Sequence, residues 1–115
     1  QSVEIPQSVV QIGNHAFSGC YSLKKVEIGS GVRRIGEHAF INCRDLVLVV
    51  IPEGVKYIAK RTFESCRNLS SVTFPEGLTE IGYGAFSGCG LGTLVIPESV
   101  TDIMYNAFES GDSCT

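Results

Sequence analysis

The sequence predicts an α/β solenoid, a coil of short parallel β-strands joined by tight turns, with at most one helical turn per coil. Three observations predict it. Val3-Glu4-Ile5-Pro6 returns as Val26-Glu27-Ile28-Gly29, Val49-Val50-Ile51-Pro52, Val72-Thr73-Phe74-Pro75 and Leu94-Val95-Ile96-Pro97, at offsets of 23, 23, 23 and 22 residues. Apolar residues return to fixed columns, and the phenylalanine column (Phe17, Phe40, Phe63, Phe86, Phe108) has no gap. Within a copy the apolar steps are 2, 4, 3, 4, 1, 3, 3 and 3, which neither a long helix nor a long strand accommodates. A unit this short cannot bury its own apolar side chains, whereas stacked units cover one another.

The elements follow in order along the unit. Val3-Glu4-Ile5 alternates and carries branched residues, so it reads as a strand. The proline after it lacks the N–H that a ladder needs and starts a turn. Val9 to Ile12 is a second extended segment, continued in the columns Val32, Val55, Leu78, Val100 and Ile35, Ile58, Ile81, Ile103. Gly13, Gly36 and Gly82 then permit a positive φ or a close backbone approach, although Ala59 and Met104 hold the same place. Ala-Phe-x-x-Cys spans one turn of helix at most, and a leucine (Leu23, Leu46, Leu69, Leu91) leads back to the next strand. The one deletion lies between Cys89 and Leu91.

Composition narrows the function. With 115 residues, 43% of them hydrophobic, the chain is a single folded module of residues 1–115, its repeats at about 3–25, 26–48, 49–71, 72–93 and 94–115. A net charge of −3 supplies no basic footprint for nucleic acid or an anionic membrane. The longest apolar run, Leu46 to Ile51, falls far short of a bilayer span, so no membrane insertion is expected. Gln1-Ser2-Val3-Glu4 has no leader pattern, and neither end carries the polar cap usual for terminal repeats. The expectation is a piece of a longer array or a chain whose open ends associate end to end.

The chemical candidates are weak. Cys20, Cys43, Cys66 and Cys89 occupy equivalent places in successive copies and read as a column of buried free thiols, while Cys114 is off the period. No Cys-x-x-Cys occurs, and the column of His15 and His38 continues as Arg61, Gly84 and Asn106, so no metal set is expected. No serine lies in Gly-x-Ser-x-Gly, and Glu4 and Glu27 stand in one exposed column without a cleft. The 13 glycines are dispersed and form no phosphate cradle. No enzyme and no cofactor is expected. The sequon Asn68-Leu69-Ser70 is read as incidental.

The unit Val-x-Ile-Pro-x-x-Val-x-x-Ile-Gly-x-x-Ala-Phe-x-x-Cys-x-x-Leu resembles the BspA-like leucine-rich repeat over essentially the whole chain, departing from it at Gly29, where proline is usual, and at Gly111, where a cysteine is expected. The resemblance implies a right-handed coil with a parallel sheet along one side. It also implies a cell-surface or secreted location and an adhesin-like role in binding host or matrix proteins, with no catalytic residues.

In such a coil the variable outward positions carry specificity. On the first strand these are Ser2, Lys25, Leu48, Ser71 and Thr93, with Glu4, Glu27, Val50, Thr73 and Val95 beside them. Early copies present charge there and the third presents Leu48 and Val50, an apolar patch midway along the face. The candidate protein-binding residues are therefore Lys25, Glu27, Leu48, Val50, Ser71, Thr73 and Val95. The alternative is a structural spacer or self-assembling element without a specific ligand. The second segment is polarised too, with Arg33, Arg34 and Lys56 early and Glu80 and Asp102 late.

Overall fold

The computed structural model describes residues 2–92 and 94–109. Every strand in it is parallel to its neighbours and short, as expected where a chain turns several times in 23 residues. Ser2–Ile5 (β1), Lys25–Ile28 (β3), Leu48–Val50 (β5) and Ser71–Thr73 (β7) form one sheet in that order. Gln11–Ile12 (β2) pairs with Arg34–Ile35 (β4). Tyr57–Ile58 (β6), Glu80–Ile81 (β8) and Asp102–Ile103 (β9) form a third sheet. Register follows the repeat: Val3 lies beside Val26 and Val49 beside Val72. After the deletion it steps by 22 residues, placing Glu80 beside Asp102.

The side chains of each column stack one coil apart. Phe17, Phe40, Phe63, Phe86 and Phe108 form a continuous pile with ring centroids 5.1, 5.3, 5.3 and 5.5 Å apart. Their planes are within 7° of parallel. Phe40, Phe63 and Phe86 are fully buried, whereas Phe17 and Phe108 at the two ends are half-buried. Phe74 meets the pile edge-on at Phe86, 5.7 Å away. Thr62 replaces alanine in its column at no cost in unpaired polarity, because its hydroxyl donates to the Ala59 carbonyl at 2.8 Å.

The Ala-Phe-x-x-Cys segment contains no helix among the described residues, contrary to the helical turn the sequence suggested. Its hydrogen bonds explain why. Ala16, Ser18 and Cys20 donate three residues back, to Gly13, His15 and Phe17. The intervening His15, Phe17 and Gly19 instead donate across to Glu37, Ala39 and Ile41 of the next coil. A helix would spend those N–H groups internally. The alternation is set by residues with positive φ, His15 (62°) and Gly19 (71°) in the first coil, and their equivalents in later ones. This also corrects the expectation for glycine. Positive φ falls two and six residues after Gly13, while Gly36 and Gly82 serve close approach: a Cβ there would lie 2.6 Å from the Asn14 nitrogen and 2.7 Å from the Ile58 oxygen.

Two further departures are local. Leu94-Val95-Ile96 was expected as a fifth strand, but residues 94–96 are not in a strand and Val95 is 78% exposed. The deletion just before it shortens the path by one residue, and Leu91 keeps its buried place at the expense of the strand that follows. On the second strand row, no pairing is recorded between β4 and β6, where Ala59 stands in the glycine column. Met104 keeps its bond to the Ile81 oxygen despite its Cβ, in the outermost described coil.

The cysteine column does more than fill space. The Sγ atoms of Cys43, Cys66 and Cys89 donate to the carbonyls of Phe17, Phe40 and Phe63 at 3.2, 3.1 and 3.1 Å. Each thiol thereby satisfies a carbonyl that sits beside the phenylalanine pile in the preceding coil. Cys20, Cys43, Cys66 and Cys89 are not joined in disulfides. The hydrogen bond with Cys43, reinforced by burial, pushes the Cys66 thiol far up, and burial raises Cys20, so neither forms a thiolate readily. Cys114 and Gly111 lie outside the described residues.

Candidate functional site

The first sheet displays its odd positions to solvent and buries Val26, Val49 and Val72 beneath them, so the outer face is a flat grid fixed by the ladder. Lys25, Leu48 and Ser71 are successive neighbours in one column. Val50 and Thr73 are neighbours in the other. Ser2 and Glu4 extend the columns beside Lys25 and Glu27. The structure thus brings Lys25, Glu27, Leu48, Val50, Ser71 and Thr73 onto one surface. Val95 is not in a strand, yet it lines one surface depression with Ser71 and Thr73, and Thr93 lies outside the described residues.

Electrostatics on this face are weak. Lys25 and Glu27 pair at 3.3 Å with more than half of each side chain exposed, which contributes little stability and leaves both accessible. The middle of the grid is apolar: Leu48 is 41% exposed and Val50 54%. Val47, missed in the sequence, widens this strip at 42% exposure. Its backbone is clamped between coils, its N–H donating to Lys24 and its carbonyl accepting from Ser70. The column Lys24, Val47, Ser70 runs parallel to the outward ones and held the signal for it.

A second surface feature is a row of planar groups along the turn arc. The His15 and His38 rings stack at 4.6 Å and 8°, the Arg61 guanidinium lies 4.8 Å over Tyr83, and Tyr83 stacks on Tyr105 at 5.8 Å. Burial, with His15 and Arg61 nearby, lowers the pKa of His38 below its ordinary 6.5, against the opposing pull of Glu37 and Glu64. The folded state therefore binds this proton less readily than the unfolded chain. Stability is expected to be unaffected by His38 above about pH 6.5 and to decline as pH falls below it toward the depressed value. Denaturant unfolding across that window should show a steeper pH slope for the parent than for His38→Gln. Among the described residues no group of three metal-binding side chains forms around the pair. No helix in the described residues is long and apolar enough to cross a membrane.

Comparison with known proteins agrees with this geometry. The family model described as a BspA type leucine rich repeat region matches residues 1–115, with six copies where the phenylalanine column counts five. The leucine-rich repeat protein of T. pallidum is similar, with a TM-score of 0.90, 38% identity, and coverage of 94% of this chain and 53% of that one. A leucine-rich cell surface protein of Faecalibacterium prausnitzii matches with a TM-score of 0.75 and 34% identity, over 100% of this chain and 38% of its own. The pneumococcal vaccine antigen PcpA matches with a TM-score of 0.86 and 27% identity, over 98% of this chain and 29% of its own. The chain thus spans about half or less of these relatives' lengths. Among proteins with curated function, none matches the sequence. The matching family is defined by a structural repeat and not by catalytic residues, and with that match over its full length the chain belongs to the BspA-type leucine-rich repeat family.

Proposed function

We propose that this chain is a non-catalytic protein-binding module of a cell-surface or secreted, adhesin-like protein, contacting its partner through the outer face of the first sheet. The observation that carries the proposal is the exposed strip of Val47, Leu48 and Val50, held on a rigid ladder and bordered by Lys25, Glu27, Ser71 and Thr73. An apolar centre with a polar rim is the layout of a recognition patch. The similarity to a cell surface protein and to a vaccine antigen supports an exposed location, and host or matrix proteins are the partners this role implies.

The test is the double variant Leu48→Asp with Val50→Asp in a pull-down against matrix and host-surface proteins. Specific capture by the parent and its loss in the variant, with an unchanged melting temperature, is expected. Retained capture by the variant overturns the assignment of the surface, and no capture by the parent overturns the function. A second role is that of a spacer or self-assembling element. Sedimentation that depends on concentration supports it, and a monomer at high concentration removes it.

A further inference from the structure

A groove of about 400 Å³ crosses the stack beside the second strand row, from Asn14 in the first coil to Met104 in the last. Its floor is the column of Gly36, Ala59 and Gly82, all buried. Each coil raises one wall residue two positions before the floor and another immediately after it. Arg34 thus stands across from Glu37, Tyr57 from Lys60, and Glu80 from Tyr83. The ion pairs recorded among the described residues, Lys25 with Glu27 and Arg61 with Glu64, involve none of these four charges. Opposite charges therefore flank the floor without closing over it.

We infer that this groove binds a neutral, linear oligosaccharide laid along the coil axis. This site shares no residue with the protein-binding face and does not depend on it. Two cations and two anions leave the walls without net charge, so neither an anionic nor a cationic polymer is selected. Sugar hydroxyls both donate and accept, which suits a wall that alternates carboxylates with a guanidinium and an ammonium. Tyr57, with 36% of its surface exposed, offers a flat apolar face on which the C–H face of a sugar ring packs, while Tyr83 is held between Arg61 and Tyr105 as part of the wall, and the small residues of the floor let the ring come down to the backbone. Coils repeat about every 4.8 Å, close to the advance of a linear chain per pyranose ring. A peptide fits less well. It would look for backbone partners, yet two of the three floor N–H groups, those of Gly36 and Gly82, already donate to Ile12 and Ile58.

The experiment is a titration of the ¹⁵N-labelled chain with cello-, laminari- and chito-oligosaccharides, beside a proline-rich peptide and a heparin fragment. Saturable shifts confined to residues around Gly36, Ala59 and Gly82 are expected with at least one neutral oligosaccharide. Tyr57→Ala and Glu80→Gln, both at surface positions, should each weaken it about tenfold or more. The Leu48→Asp, Val50→Asp variant should bind it unchanged, which separates this site from the protein-binding face. Absence of saturable shifts with every saccharide, saccharide affinity that survives both groove variants, or occupation by the peptide or heparin alone would overturn the inference.

Discussion

Replacing Phe63 by alanine is expected to lower stability by about 3–5 kcal/mol, a large share of the roughly 5–15 kcal/mol that holds a domain together. The ring is fully buried and is packed on both faces, by Phe40 and by Phe86, each 5.3 Å away. Its loss leaves a cavity that backbone movement cannot fill, because the Phe63 N–H is bonded forward to Ala85 and its carbonyl accepts the Cys89 thiol. Phe108→Ala provides the contrast: this ring is half-buried and stacks in the recorded contacts on Phe86 alone, so the cost should be clearly smaller. Urea unfolding of both variants checks this. Equal losses at the two positions would mean that the phenylalanines do not act as one continuous pile.

The same substitution at two equivalent positions should have opposite outcomes. Gly36→Ala is expected to destabilise by about 1–3 kcal/mol, whereas Gly13→Ala should be neutral or stabilise by up to about 1 kcal/mol through the unfolded state. A Cβ on Gly36 collides with the Asn14 side chain and lies 2.6 Å from its backbone nitrogen, and the neighbouring Glu37 N–H is held to Asn14 Oδ1 at 2.8 Å. A Cβ on Gly13 meets nothing within 4 Å. Amide exchange at Gly36, whose N–H donates to the Ile12 oxygen, would report the ladder opening as faster exchange in the first variant alone. Matching stabilities for the two would show that coil spacing is looser than these contacts require.

These two predictions also mark what the sequence revealed and what it withheld. The phenylalanine and isoleucine columns were legible because every copy must bury the same side chains against its neighbours, and the structure stacks Phe17 through Phe108 in that order. The conformation of the turn arc was not. His15, His38 and Arg61 adopt positive φ without being glycine, so Gly84 and Asn106 in the same column were too isolated a signal for the left-handed position. The His15, His38 and Arg61 N–H groups in this conformation are bonded to the following coil, a tertiary arrangement that periodicity cannot display. The site was legible in part: Leu48 and Val50 stood out as apolar residues in polar columns. Val47 escaped because it lies just before the strand, and Val95 was expected on a strand that does not form after the one-residue deletion upstream, although it still lies beside Ser71 and Thr73.

The direction of hydrogen bonding around a coil has an electrical consequence. Along the turn arc, N–H groups point forward, from His15 to Glu37 and from Phe17 to Ala39; on the second strand row they point backward, from Arg33 to Val10 and from Gly36 to Ile12. Peptide dipoles around a coil therefore do not all point one way along the stack, unlike those of a helix. The ionised side chains are unevenly spread along the coil axis: every lysine and arginine lies in the stretch from Lys24 to Arg67, so that middle stretch is net positive while the residues on either side of it are net negative.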